Sequence, residues 1–280
     1  MKFEKYQALG NDYLVVEPSE VGGKLSAEQI RQICYRHYGI GSDGLLLGPF
    51  PTAEADFLLK IYNSDGSEAE KSGNGLRIFS RYLWDKGLVK EEPFTILTKG
   101  GKVISQVHEK GEYVSNQMGQ VSFDSRKIPV LGPAREVIDE AMIIEGQVFR
   151  FCALTIGNPH CVLLRQEVSA DEAQRWGPII EHDPRFPNRT NVQFMKVLDR
   201  SNIQIEIWER GAGYTLASGT SSCAASAVAH RLGLCESEIT VHMPGGKIYI
   251  SISDEMQVKS TGPVSFVFSG VMELGKGIEV

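Results

Sequence analysis

No Cys-x-x-Cys pair, no Walker A loop and no Gly-x-Gly-x-x-Gly opening a helix after a strand occurs anywhere in the 280 residues. The five cysteines, Cys34, Cys152, Cys161, Cys223 and Cys235, are odd in number, which argues against a disulfide framework and against a zinc knuckle; buried free thiols are the plain expectation. The six histidines are scattered without metal-ligand spacing, so no metal is expected. A formal net charge of −6 is spread along the chain with no basic stripe, so the electrostatic footprint of a nucleic-acid binder is missing. No run of 18 apolar residues occurs, and the opening Met1–Tyr13 stretch carries Lys2, Glu4 and Lys5 where a signal peptide needs an apolar core. These absences predict a cytoplasmic protein with a small-molecule or protein partner, no membrane and no nucleic acid. With 42% hydrophobic and 23% charged residues, disorder, collagen and coiled coil are excluded, and the length suits one large or two medium domains.

What is there is a repeat. Ile61-Tyr62-Asn63, followed by Ser72-Gly73-Asn74-Gly75, aligns at an offset of 146 with Ile207-Trp208-Glu209, followed by Ser218-Gly219-Thr220-Ser221. Leu9-Gly10-Asn11-Asp12-Tyr13 faces Ile156-Gly157-Asn158-Pro159-His160 at 147, and Gly100-Gly101-Lys102 faces Gly245-Gly246-Lys247 at 145. Each match alone is weak, but their shared order predicts two structurally similar halves.

The local patterns agree. Asp56–Tyr62 and Ile203–Trp208 are dense in β-branched and aromatic residues and predict strands, each running into a glycine-containing loop. After each Ser-Gly comes a helical pattern, Leu76 to Leu83 in one half and Cys223 to Leu232 in the other, the latter ending near Gly233. Further strands are predicted at Thr95–Leu97, Lys102–Val107, Val114–Met118, Phe149–Thr155, Cys161–Leu164, Glu238–His242, Lys247–Ser251 and Val264–Val267, and helices at Ala27–His37, capped by Ser26, and Asp171–Arg175. Many strands with few helices give an α+β class rich in antiparallel sheet. A linker is expected near Asp124–Pro133, where Pro129 and Pro133 interrupt the pattern.

A helix N-terminus offers backbone N–H groups and the positive end of the macrodipole, and so binds carboxylate without a charged side chain. Two such ends, facing each other, would clamp a small anion and set Ser72 and Ser218 on opposite faces of one carbon. The plainer reading is that both serines are helix caps, each contributing about 1 kcal/mol.

The strings Leu9–Tyr13, Asn63–Glu68, Ser72–Gly75, Gly157–His160, Thr190-Asn191, Glu209–Gly213, Ser218–Thr220, Pro244–Gly246 and Thr261–Pro263 resemble the diaminopimelate epimerase family, from residue 1 to nearly 280. The resemblance implies two pseudo-symmetric α/β halves, 1–118 plus 266–280 and 119–265. Each would wrap a mixed or antiparallel sheet around a central helix, with the active site in the cleft between them. It implies an isomerase of lysine and peptidoglycan biosynthesis that uses neither PLP nor any other cofactor, works as a homodimer, and interconverts LL- and meso-diaminopimelate by two-base proton transfer at the α-carbon. In the family two cysteines carry the protons; the matching positions here are Ser72 and Ser218. Glu209 and a histidine near the base, His160, complete the implied catalytic set. Asn11, Asn63, Asn74, Asn158, Asn191, Glu209 and Arg210 match positions that hold the substrate's amino and carboxylate groups, and the amides at Gly73, Asn74, Gly219 and Thr220 match those that receive the α-carboxylate. Gly44 stands where some members carry a longer polar residue.

The absent thiols leave three readings open. A cysteine ionises near pH 8.5, lower still at a helix N-terminus, whereas a serine hydroxyl needs an adjacent general base such as His160 or Glu209. The chain is then an engineered Cys→Ser pair, a Ser/Ser branch using another base, or a non-catalytic amino-acid-binding protein.

Overall fold

Residues 1–273 are described by the computed structural model, so the part of the expected first half at 274–280 lies outside the described residues. The described chain divides into two units, Met1–Asn116 with residues 262–273, and Gln117–Thr261.

In the first unit the strands are β1 (Lys2–Ala8), β2 (Asn11–Val16), β3 (Gly44–Phe50), β4 (Phe57–Asn63), β5 (Glu68–Ala69), β6 (Phe94–Thr98), β7 (Gly101–His108) and most of β8 (Tyr113–Gln120), with β18 (Ser265–Val271) returning from the end of the chain. The helices are α1 (Ala27–Cys34) and α2 (Gly73–Asp85). Pairing runs β18-β1-β2-β3-β4, continues through β6-β7-β8, and sets β5 beside β4; only β2–β3 and β4–β6 are parallel.

The second unit repeats this plan with β9 (Glu140–Ile144), β10 (Gln147–Thr155), β11 (Pro159–Leu164), β12 (Asn191–Asp199), β13 (Asn202–Glu209), β14 (Gly213–Thr215), β15 (Glu238–Met243), β16 (Gly246–Ile252) and β17 (Gln257–Pro263), and with helices α3 (Ala170–Glu181) and α4 (Gly219–Arg231). Its order is β9-β10-β11-β12-β13-β15-β16-β17 with β14 beside β13, and its parallel pairs are β11–β12 and β13–β15. The parallel and antiparallel steps thus fall at corresponding places, and α2 and α4, both 13 residues long, start 146 residues apart.

The central helices form for different reasons. α2 buries Leu76, Ile78, Phe79, Tyr82 and Leu83 against Tyr6, Val15, Leu46 and Val107. α4 is buried from Ser221 through Ala229, and small residues all round let the sheet close on it from every side. The parallel pair β2–β3 is covered on both faces: Leu14, Val16, Leu45 and Leu47 pack with Ile30 and Ile33 of α1, while Val15 and Leu46 point to α2.

Several predicted bounds shift. α1 stops at Cys34 rather than His37, after a full capping box between Ser26 and Gln29. α3 runs past the predicted Arg175 to Glu181, through Gly177-Pro178. The last strand starts at Ser265 and reaches Val271. The expected linker at 124–133 is part of the second unit: Ile128 and Val130 are buried in its core with Phe151, Trp176 and Phe186, and Asp124 bridges to Glu136. The chain instead passes between units within β8 and β17.

Gly177 lets α3 lie directly on β13, because a Cβ there would meet Trp208 Cβ and Cγ at 2.5 Å. Gly177→Ala therefore overpacks the contact and should lower stability by about 1–3 kcal/mol, read as a drop in thermal midpoint; an unchanged midpoint would show that the Trp208 side can yield.

Candidate active site

Each central helix opens on a serine with the same geometry. Ser72 (φ −138°, ψ 118°) accepts from the Gly75 amide at 3.0 Å, and Ser218 (φ −145°, ψ 127°) accepts from the Ser221 amide at 3.3 Å. Both serines are thus helix caps, as the plain reading expects. An α-helix offers its first-turn amides, here those at Gly73, Asn74, Gly219 and Thr220, no carbonyl four residues back, and each end carries the positive pole of a helix dipole. These amides can bind a carboxylate without any cation.

Behind Ser72 runs a chain of polar contacts. Arg77, fully buried, donates to Asn74 Oδ1 at 2.5 Å; Asn74 Nδ2 donates to Asn11 Oδ1 at 3.0 Å; Asn11 Nδ2 donates to Asp43 Oδ2 at 2.8 Å. Asp43 and Asp12 bind each other's backbone amides at 3.0 Å, and Arg36 bridges both carboxylates. Burial pushes the Asp12 carboxyl up, but the hydrogen bonds from Arg36 and Lys5 prevail and hold it down at about 2. The network fixes Asn11 and Asn74 side by side, so the repeat's Gly-Asn turn and the helix start are one structure. Asn63 stands apart from it: exposed at the end of β4, it donates from Nδ2 to Ser67 Oγ at 2.9 Å, and it is tied to the site only through its pairing with Gly44.

The second unit is built differently. Asn191, paired opposite His160, donates to the Pro159 carbonyl at 2.8 Å and accepts from the Arg210 amide at 3.0 Å. Asn158 Oδ1 lies 2.9 Å from His160 Nε2. His160 is fully buried, and that burial, opposed by the polar Gln193 side chain nearby and reinforced by the Arg210 charge, lowers its imidazole to about 3. Gln193 in turn donates to Ser221 Oγ at 3.0 Å. The Ser218 hydroxyl meets the Ser221 amide and the Thr220 hydroxyl, not His160. Glu209 ends β13, opposite Gly213.

Sequence reasoning passed over Glu181. Its carboxylate, buried at the end of α3, accepts from Trp208 Nε1 at 2.7 Å, from the Gly211 amide at 3.0 Å and from Arg189 at 3.2 Å. It clamps the turn carrying Glu209 and Arg210 from 28 residues away, a distance at which no spacing rule operates. Arg36, Asp12 and Asp43 were also missed as a group, although the last two lie inside the quoted motifs or beside Gly44.

All five cysteines are buried and free, with no disulfide among the described residues. Among the described residues no cluster of three His, Cys, Asp or Glu side chains could hold a metal, and no helix is long and apolar enough to cross a membrane.

The profile of the diaminopimelate epimerase family matches residues 3–123 and 152–267. The chain is 60% identical over 270 residues to diaminopimelate epimerase 2 of Nostoc sp. (strain PCC 7120 / SAG 25.82 / UTEX 2576), covering 96% of this chain and 95% of that one. It is 38% identical over 280 residues to the diaminopimelate epimerase of Desulfitobacterium hafniense, covering 97% and 98%. Among solved structures, a probable proline racemase from Agrobacterium radiobacter K84 superposes with a TM-score of 0.73 at 14% identity, covering 98% of this chain and 93% of that one. A hydroxyproline epimerase from Agrobacterium vitis gives 0.71 at 14%, covering 96% and 91%. The chain belongs to the diaminopimelate epimerase family, and its α+β fold is the one shared by these racemases and epimerases.

Two outcomes follow from the geometry. His160 should show no titration step between pH 8 and pH 5 by NMR. Because its folded value lies below the unfolded value of about 6.5, the unfolded chain binds the extra proton, and stability falls with pH below 6.5 by up to about 1.4 kcal/mol per unit from this group. A ring titrating near 6.5 would contradict the buried placement. Glu181→Gln, which keeps the shape and removes the charge, should cost about 1–3 kcal/mol in urea unfolding; no loss would mean the clamp is slack.

Proposed function

We propose that this chain is an amino-acid epimerase that interconverts LL- and meso-diaminopimelate without PLP or metal, by removing the α-proton on one face and returning a proton on the other. The observation that carries the reading is the pair of equivalent helix starts, Ser72-Gly73-Asn74 and Ser218-Gly219-Thr220, in a chain 60% identical to a diaminopimelate epimerase. Deprotonation at an α-carbon builds negative charge on the neighbouring carboxylate, and the first-turn amides at residues 73, 74, 219 and 220 suit that charge through preorganised dipoles. On this reading Ser72 and Ser218 stand at the proton-transfer positions, and Glu209 and His160 support them. Asn11, Asn63, Asn74, Asn158, Asn191, Glu209 and Arg210 fix the amino and carboxylate groups.

His160 supports the serine side as a neutral spacer rather than as a base in contact with Ser218, given its buried position on Asn158. The domain division at 118/119 and 265/266, the cytoplasmic location, the place in lysine and peptidoglycan synthesis and the homodimer belong to the same proposal. The exposed apolar side chains Phe266, Val267, Phe268 and Val271 of β18 support a partner copy.

Replacing a thiol by a hydroxyl raises the barrier, and each factor of ten is about 1.4 kcal/mol. Proton NMR of LL- and meso-diaminopimelate in D₂O should show loss of the α-proton signal with this chain, and faster loss, on the order of 10²-fold or more, with Ser72→Cys/Ser218→Cys. Exchange by the double-cysteine chain alone would make this protein a binder that does not turn over. Silence from both would remove diaminopimelate as the substrate.

A further inference from the structure

Resting on that reading, we infer that Tyr13 serves as the proton relay of Ser72, giving the first unit a hydroxyl pair where the reaction otherwise calls for a thiol.

The Tyr13 phenol lies 3.3 Å from Ser72 Oγ, and either oxygen can donate. Ser72 Oγ already accepts the Gly75 amide, so a donor and an acceptor are set around one hydroxyl, leaving its own proton to point at the phenol oxygen. Tyr13 is buried, with 6% of its surface exposed, so this contact is shielded from competing water. The position is not arbitrary. In the parallel pair β2–β3 Tyr13 stands opposite Gly44, and in the parallel pair β11–β12 His160 stands opposite Asn191. Tyr13 is therefore the repeat counterpart of His160, and each unit sets a titratable ring at the same point beneath its helix start.

Gly44 explains how the phenol fits. A Cβ at position 44 would lie 2.5 Å from Tyr13 Cε1 and 2.4 Å from the Tyr62 carbonyl oxygen. Any side chain there displaces the ring, so the glycine that departs from some family members and the tyrosine at Ser72 are two parts of one arrangement.

A free phenol ionises near pH 10, well below an aliphatic hydroxyl, so a phenolate can take the serine proton whereas water at neutral pH cannot. In the direction in which Ser72 acts as base, the Cα–H bond breaks and its electron pair stays on the α-carbon. That proton passes to Ser72 Oγ while the Ser72 O–H proton passes to the Tyr13 phenolate, which becomes phenol. In the opposite direction the phenol O–H bond breaks, its proton moves to Ser72 Oγ, and the Ser72 proton forms the new Cα–H bond. Tyr13 acts through Ser72 and does not touch the substrate.

The test is α-proton exchange of both diaminopimelate isomers in D₂O across pH 7–11. Tyr13→Phe should lower exchange on the order of 10²-fold in the serine chain, and the same change should cost at least tenfold less in the Ser72→Cys chain, whose thiol ionises unaided. A fluorinated tyrosine placed at position 13, of nearly unchanged size but lower phenol pKa, should move the limb of the pH profile to lower pH, which a packing role would not do. Equal losses from Tyr13→Phe in the serine and Ser72→Cys chains, no loss in either, or a limb that ignores the fluorine would overturn the relay. So would exchange by the Ser72→Cys chain with none by the serine chain. Absence of exchange in every chain, the Ser72→Cys/Ser218→Cys version included, would fail the substrate reading itself and the relay with it.

Discussion

A helix enclosed by its own sheet satisfies its backbone everywhere except at its ends, and that constraint organises both units. α2 and α4 are sheathed along their lengths, so the chemistry each can offer beyond packing comes from the first-turn amides and the residue that caps them. A serine cap stabilises the helix and sets an oxygen at the pole of the dipole. Structure and chemistry therefore draw on the same residue. The neighbouring asparagines follow from that placement, because Asn11 reaches the helix start only when Asp43 and Arg36 hold its turn.

The two ends are supported by unlike means. In the first unit the turn is held by a charged group, Asp12 and Asp43 sharing Arg36 with Lys5 alongside, whose partners pull the Asp12 proton affinity well down. In the second the contacts around Asn158, His160, Gln193 and Ser221 are between uncharged side chains, and a buried carboxylate, Glu181, faces the Glu209–Gly213 turn. A repeated backbone has thus been filled with different side chains.

Much of this was legible in the sequence because turn residues carry position. The Gly-Asn, Ser-Gly and Gly-Gly-Lys landmarks fall at the β1–β2, cap and β6–β7 points of one unit and at their counterparts in the other. Among the strands that escaped notice, β2 and β3 are buried on both faces, so they show apolar runs without the alternation that marks a half-exposed strand. Gly177-Pro178 reads as a helix breaker, yet the missing Cβ is what lets α3 lie on Trp208. Glu181 had no local signal at all: a carboxylate in a helical pattern looks solvated until tertiary packing brings Trp208, Gly211 and Arg189 to it.

Gly44 draws its importance from the strand beside it. Taken with its parallel-strand partner, it is the only residue type compatible with a tyrosine ring lying across the strand, since the clash distances of 2.4 and 2.5 Å leave no room for a Cβ. The glycine at position 44, the phenol at 13 and the hydroxyl at 72 are then physically linked. A side chain at position 44 would displace the phenol and with it the contact to the Ser72 hydroxyl.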